Sequence, residues 1–570
     1  MLLSNFDLLA TAPGGVARLR ELILTLAVQG KLVQQDSADE PASALLQKIR
    51  AEKEQLIAEG KIKRDKQLAE IEEEEKPFEL PLGWEWVRLG ALLKKIGAGS
   101  TPLGGREVYV SSGVKFLRSQ NVWDNGLRLD GVAFITPETH AKMAGTVVSA
   151  NDLLFNITGA SIGRCAVVPS DFDEANVSQH VTIIRAVRPE LNAFLHKVLV
   201  SRHVQQTVMD VQVGVSREGL SIAKLGQFLI PVPPLAEQSR IVTGVEELMR
   251  LCDVLEAKGQ LVAAQHAQLV STLLGTLTAS ATPEELADNW QRVAEHFDLL
   301  LDRPEAIDAF EQTLLQLAVR GLLVPQDPTD EPASELLARI RNEKDRLIAE
   351  GKIKREKPLQ PITEDEKPFE LPAGWEWVRL AEIANSRLGK MLDHAKNSGE
   401  RFPYLRNTNV QWGNIDLDDI KEISLEANEL DEFRLIPGDL LICEGGYPGR
   451  CAIWREVDRE MYFQKALHRV RPLCGVYAEL IAISLEADSK SGNLERHFTG
   501  ATIKHFVGQA LDRYVLPLPP LAEQFRIVTS VSALRHLCAD LRQRLADAQT
   551  TQSHLAQAMV YSCSSVTSEP

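Results

Sequence analysis

Catalytic signatures are what this 570-residue sequence most conspicuously lacks. It has no G-x-x-x-x-G-K-[ST] phosphate loop, no G-x-S-x-G elbow and no H-E-x-x-H zinc helix. Gly97-Ala98-Gly99-Ser100-Thr101-Pro102 puts proline where a dinucleotide loop needs its third glycine. Glu59-Gly60-Lys61 and Glu350-Gly351-Lys352 have the E-x-K spacing of one nuclease signature, yet sit at helix ends without an upstream acid pair. The Pro-Pro pairs follow Val232 and Leu518, not the Asn or Asp of an amino-methyltransferase motif. Cysteine is scarce, 7 in all, with no C-x-x-C pair and no zinc-spaced His/Cys cluster, so bound metal is not expected. No apolar run approaches the ~18 residues of a membrane span, and no charged-then-apolar leader opens the chain. A cytoplasmic protein with reduced thiols and no membrane association is the expectation.

An excess of positive charge is missing too. The formal net charge is −16, poorly suited to non-specific binding of a polyanion. The acid is uneven, however. Residues 97–232 hold 12 Lys/Arg against 11 Asp/Glu, residues 233–296 hold 4 against 9, and residues 388–515 hold 16 against 20. Any nucleic-acid contact must be local, with a partner bringing more of the positive charge.

What is present is a repeat of almost the whole chain. Pro233-Pro234-Leu235-Ala236-Glu237-Gln238 returns as Pro519-Pro520-Leu521-Ala522-Glu523-Gln524. Each opens an apolar 4-3 pattern: Ile241, Val245, Leu248, Cys252, Leu255, Gly259, Val262, His266, Leu269, Leu273, and then Ile527, Val531, Leu534, Cys538, Leu541, Leu545, Ala548, Gln552, Leu555, Met559. Such a pattern can lie along a globular core, but its 33 residues make a rod of roughly 50 Å and call for a partner helix on the seam. The long partner on offer is the second copy, so the two read as a coiled-coil spacer. Upstream, Ala27-Val28-Gln29-Gly30 matches Ala318-Val319-Arg320-Gly321, each helix ending at a capping glycine. Glu40–Lys66 matches Glu331–Lys357 at 20 of 27 positions.

Two globular stretches open with Leu80-Pro81-Leu82-Gly83-Trp84-Glu85-Trp86-Val87-Arg88-Leu89 and Leu371-Pro372-Ala373-Gly374-Trp375-Glu376-Trp377-Val378-Arg379-Leu380. The alternating pattern after the turn predicts a strand, and the tryptophans are expected to anchor the core. Beyond this entrance the copies drift apart. Correspondences survive at Arg118 and Asn121 with Arg406 and Asn409, at Gly163-Arg164-Cys165-Ala166 with Gly449-Arg450-Cys451-Ala452, and near Gln179-His180 with Gln464-Lys465. Arg, Asn and Gln carry the paired donors and acceptors that base edges require, and they equally close turns within a domain.

Taken together, paired Leu-Pro-x-Gly-Trp-Glu-Trp-Val-Arg-Leu openings and Pro-x-Pro-Pro-Leu-Ala-Glu-Gln-x-Arg-Ile-Val closings resemble the specificity subunit of type I restriction-modification systems. The resemblance implies an α+β multidomain chain with two mixed α/β target-recognition domains, held apart by two long helices in an antiparallel coiled coil. Each domain would read one half of a bipartite double-stranded DNA site. It implies a non-catalytic chain without cofactors of its own. Two methyltransferase subunits would bind S-adenosylmethionine, and restriction/translocase subunits would use ATP and Mg. A self-contained restriction or methyltransferase enzyme, and a scaffold without DNA function, are the competing readings. The expected segments are a helical 1–77, recognition domain 78–232, coil helix 233–276, linker and repeated helical segment 277–368, recognition domain 369–518, coil helix 519–563 and tail 564–570. A residue repeated in both domains cannot distinguish two unlike half-sites. Arg118, Asn121, Arg164, Gln179, His180, Arg406, Asn409, Arg450, Gln464 and Lys465 are therefore expected to position the DNA backbone or hold the fold. Trp123, Arg128, Ser161, Gln411, Trp412, Glu444 and Tyr447 are expected to read bases.

Overall fold

A computed structural model describes residues 6–64, 68–213, 219–280, 282–353, 358–392 and 399–565. Lys66 and Lys357, which end the matched segments, and most of the 564–570 tail lie outside the described residues. The chain divides into two units. One comprises Met1–Val262 with Gln549–Pro570, the other Ala263–Ala548.

In each unit the repeated opening and closing motifs form one structure. Glu85–Arg88 pairs antiparallel with Leu229–Val232, and Glu376–Arg379 with Val515–Leu518. The tryptophan before each opening strand is buried, and its Nε1 donates to the glutamate of Leu-Ala-Glu-Gln: Trp84 to Glu237 at 3.0 Å, Trp375 to Glu523 at 2.9 Å. Burial pushes both carboxyls up, because the charged form loses water and has few partners in return. Gln238 and Gln524 each donate back to the proline carbonyl five residues earlier, at 2.9 Å. The motif is thus a clasp between domain entrance and exit. Gly30 and Gly321 adopt φ of 68° and 71°, and a Cβ there would meet Pro81 or Pro372 at 2.5 Å, so the preceding helix can dock on the clasp only through glycine.

Within each recognition domain one fully buried strand faces two cores. Leu153 and Phe155 belong to the core shared with the helices, whereas Leu154 belongs to a second core. In the other unit Leu440 and Ile442 face one way, Leu441 and Cys443 the other. This is the period-2 alternation of a strand with apolar packing on both faces. The first domain has a four-stranded sheet in the order Cys165–Val167, Leu153–Asn156, Val181–Ala186, Leu93–Ala98. Its five-stranded sheet contains a parallel pair, Val114–Leu117 beside Ala175–Val177. The second domain keeps the same parallel pair, Glu400–Leu405 beside Tyr462–Phe463, despite its diverged sequence.

Among the helices outside the sheets are α1 (Gly15–Val28), α2 (Leu235–Ala279), α3 (Pro304–Val319) and α4 (Leu521–Ser565). The two long helices, α2 and α4, are 45 residues each, ~68 Å at 1.5 Å per residue. Each unit holds the first part of one and the last part of the other, so they run antiparallel. Their seams are covered inside each unit by the shorter repeated helices. Ile241, Val245 and Cys252, with Leu248 and Leu255 at their edge, pack with Leu19 and Ile23 of α1. Ile527 and Val531 share a core with Leu315 and Ala318 of α3, and Leu534, Cys538 and Leu541 lie against Ile307, Phe310 and Leu314.

The buried face leaves the expected seam in its second half, where Val262 is already 49% exposed. Leu269 is 52% exposed and Leu555 51% exposed; the buried residues are Val270 and Leu274, and Ala556 and Val560. Helical drift explains the correction. A straight helix slips about 20° per heptad against a strict seven-residue repeat. Over four heptads, from Ile241 to Leu269, that is about 80°, most of the ~100° step to the next residue. The buried face therefore passes to Val270, and in the second copy from Ile527 to Ala556.

His196 sits in the first core, its Nε2 donating to the Cys165 carbonyl at 3.0 Å. Burial, with Lys197 beside it, pushes the imidazole down to about 4. Below its ordinary 6.5 the unfolded chain takes a proton that the folded state refuses until about pH 4. Stability should fall between those limits by on the order of 3 kcal/mol and then level off. Denaturation curves from pH 7.5 to 4 should show this slope, and His196→Gln should flatten that part of it.

Candidate nucleic-acid interface

Strand ends gather the divergent loops of each domain on one rim. In the first unit Val114–Leu117 leads into Arg118, Leu153–Asn156 into the 157–164 loop, and Ala175–Val177 into Ser178–His180. The loops are tied together. Asn156 Nδ2 donates to the Ser119 carbonyl at 2.9 Å and to Ser161 Oγ at 3.2 Å, the Ile157 N–H donates to the His180 carbonyl at 3.0 Å, and Thr158 Oγ1 lies 2.6 Å from His180 Nδ1. The second rim uses the same scheme. The Cys443 N–H donates to the Arg450 carbonyl at 2.8 Å, the Glu444 N–H to Ala466 at 2.9 Å, and Asn407 Nδ2 to Gly445 at 3.3 Å.

Asn121 and Asn409 are buried, and their side chains hold the turn. Each accepts the N–H of the arginine three residues earlier, at 2.9 and 3.0 Å. Each also donates seven residues ahead, to the carbonyl of Arg128 at 2.8 Å or of Asp416 at 3.0 Å. The backbone returns the bond: the N–H of Arg128 donates to Asn121 and that of Asp416 to Asn409. Arg128 and Asp416 therefore stand at the same place with opposite charge. Sequence reasoning missed Asp416; the matched asparagines with a seven-residue count would have found it.

Trp123 is the centre of the first rim. Its Nε1 donates to the Gln120 carbonyl at 2.8 Å, and the guanidinium carbons of Arg128 and Arg164 lie 3.6 and 3.7 Å from its ring centre. Two groups so close to one ring centre must occupy opposite faces, each drawn by the ring quadrupole. Arg118 has a buried Nε without an acceptor among the described residues. Ser161 faces Asn156, while Gln179 and His180 are exposed.

On the second rim Gln411 takes the place of Trp123, donating to the Thr408 carbonyl at 2.9 Å. Arg450, the counterpart of Arg164, donates to Gln411 Oε1 at 3.1 Å and to the Asn407 carbonyl at 2.7 Å, and lies 4.9 Å from the exposed Tyr447 ring. Arg406 is engaged by Asp419 at 2.5 Å, and that guanidinium, followed by Lys421, holds the Asp419 carboxyl below its usual range. Trp412 packs on the core, Glu444 is half-buried, Gln464 is buried with an unpaired Oε1, and Lys465 is exposed. The N–H bonds of Ser178 to Leu117 and of Gln464 to Leu405 align those two residues. Lys465 therefore matches Gln179, one place off the correspondence read from the sequence. No described helix is long and apolar enough to cross a membrane.

The family model "Type I restriction modification DNA specificity domain" matches residues 81–263 and 372–548. The chain is 36% identical to the type I restriction enzyme EcoEI specificity subunit of Escherichia coli over 564 residues, covering 96% of this chain and 93% of that one. It is 35% identical to the EcoAI specificity subunit of the same species over 571 residues, with the same coverage. A chain from a solved structure of the type I R-M system shares the fold at a TM-score of 0.50 and 19% identity, covering 86% of this chain and 99% of that one. Two matched domains, the clasp that frames each of them and full-length relatives place the chain in the family of type I restriction-modification DNA specificity subunits, DNA-binding and non-catalytic components whose partner subunits carry the catalysis.

Proposed function

We propose that domains 78–232 and 369–518 each read one half of a bipartite, asymmetric DNA site, with helices 233–276 and 519–563 setting the spacer between the halves. The segments 1–77 and 277–368 cover the seams of those helices, and this shared helical framework docks two methyltransferase subunits. S-adenosylmethionine would bind to those partners, and ATP and Mg to restriction/translocase subunits.

One observation carries this reading: the clasp bonds recur in both units, Trp84–Glu237 with Trp375–Glu523 and Gln238 with Gln524, while the rim residues differ, with Arg128 against Asp416 and Trp123 against Gln411 at matched positions. Repeated framework suits identical partners, and unlike rims suit unlike half-sites. Arg118, Arg164, Arg406 and Arg450 are assigned to positioning. Mapping methylated sites in a genome expressing the complex should reveal two different half-sites separated by a fixed gap. Glu444→Ala should relax one position of the second half-site by about ten- to a hundredfold, because a carboxylate accepts from cytosine N4. A contiguous or palindromic site, or loss of preference in the first half-site, would overturn the assignment.

A further inference from the structure

The first rim differs from the second in what its arginines hold. In the second domain Arg450 and Arg406 donate to Gln411, Asn407 and Asp419. In the first, the side chains of Arg128 and Arg164 meet the faces of Trp123 and, among the described residues, no hydrogen-bond acceptor. Their donors are left for something outside the protein.

Arg128 is also the better fixed of the two for reading. Both its backbone N–H and its carbonyl are bound to Asn121, at 2.9 and 2.8 Å. Its guanidinium rests on a ring that is itself pinned, through Nε1 to Gln120 and through the hairpin register Trp123↔Gly126. Arg164 braces the other face, half-buried, and recurs as Arg450. Arg128 is exposed and does not recur.

A planar fork of parallel donors fits an edge with two adjacent acceptors. In the major groove only guanine offers that edge, through O6 and N7; adenine pairs its N7 acceptor with a donor. A phosphate also accepts such a fork, but the position changes sign between the two domains, whereas phosphates are the same at every site. We propose that Arg128, braced on Trp123, reads a guanine in the half-site of the first recognition domain. The inference rests on the rim being the DNA interface.

The test uses the complex assembled with its methyltransferase partners and S-adenosylmethionine, on duplexes randomised across both half-sites. The unaltered complex must first select a motif; if it selects none, the DNA reading of the rim falls, whatever Arg128 does. Given a motif, Arg128→Ala should cost one guanine position of the first half-site about ten- to a hundredfold in preference and leave the second half-site intact. Arg128→Lys, which keeps the charge without the planar fork, should blur the same position, as should Trp123→Ala. Uniform weakening across all sequences, with the salt slope reduced by about one, would mark Arg128 as a phosphate contact and overturn the proposal. An unchanged motif, or a change at a position that is not guanine, would overturn it as well. Arg128 is exposed, so unaltered thermal melting is expected and separates these outcomes from misfolding.

Discussion

Cut after residue 291, the chain is expected to dimerise and, with its methylating partners, to mark an inverted repeat of the first half-site. The reason lies in how the first unit is closed. Leu9, Ala12 and Leu22 are covered by Ala556 and Val560, and Arg18 donates to the Ser553 carbonyl at 2.8 Å and to its hydroxyl at 2.7 Å. A chain ending at 291 lacks those groups but carries their counterparts in α2. Val270 and Leu274 stand 286 positions before Ala556 and Val560, and Ala267, the counterpart of Ser553, keeps the carbonyl though not the hydroxyl. A second copy can therefore supply what α4 supplied. Because each copy closes the other with the same surface, the pair is two-fold and finite. Burial of each aliphatic side chain contributes roughly 1.5–3 kcal/mol. At Gly259, where the second copy has Leu545, an added Cβ would meet nothing, so the glycine leaves no packing gap. Sedimentation showing only monomer, or methylation of a non-palindromic site, would refute this.

Replacing Asp152 with alanine is expected to destabilise the first unit by about 3 kcal/mol, near the lower end of what breaking a buried ion pair costs. Asp152 is 1% exposed and takes two bonds from Arg185, each 2.6 Å, as well as the Ser149 N–H at 2.7 Å. Its removal leaves the Ser149 N–H without its acceptor and the guanidinium with only the Ser149 hydroxyl and the Val147 carbonyl, at a site where Asp152 itself was buried. The carboxylate's hydrogen bonds in turn raise the pKa of Arg185. Asp439 repeats the arrangement with Arg471 at 2.7 and 2.8 Å and the Ile436 N–H at 2.8 Å, so the same loss is expected there. Denaturant midpoints of Asp152→Ala, Arg185→Met and the double variant measure the pair. A coupling below about 0.5 kcal/mol would mean that the two residues act independently and would sink this account.

The repeated parts of the fold were the legible parts. The clasp, the capping glycines and the antiparallel long helices all follow from motifs present twice, since a framework used twice states its own requirements. The seam was read correctly for Ile241, Val245, Ile527 and Val531 but drifted off by Leu269 and Leu555. A strict heptad count drifts by about 20° per heptad against a straight helix, so it loses the buried face after four heptads. The loops resisted for a different reason. Arg164 and Arg450 match in sequence, yet one stacks on a tryptophan and the other donates to a glutamine. The use of each is set by its neighbour at 123 or 411, and no alignment of the arginines alone can show that. Asn121 and Asn409, expected to position the DNA backbone, have their side chains bound within the turn, because the amide that could reach DNA closes a turn equally well.

The bonds between Arg18 and Ser553 span 535 residues of chain, and that distance is also a delay. At ~5–20 residues per second, roughly 30 to 100 s of synthesis separate the helix that needs covering from the segment that covers it. The second unit, contiguous from Ala263 to Ala548, carries no such wait. Throughout translation Leu9 and Leu22 therefore present a sticky face on the nascent chain, and polysomes holding several such chains bring those faces close together. A messenger broken late, anywhere between the codons for Ala548 and Ser553, would release a chain whose second unit is finished and whose first is still open. Such products are natural substrates for chaperones and proteases, and assembly quality would be judged at the first domain long after it was made.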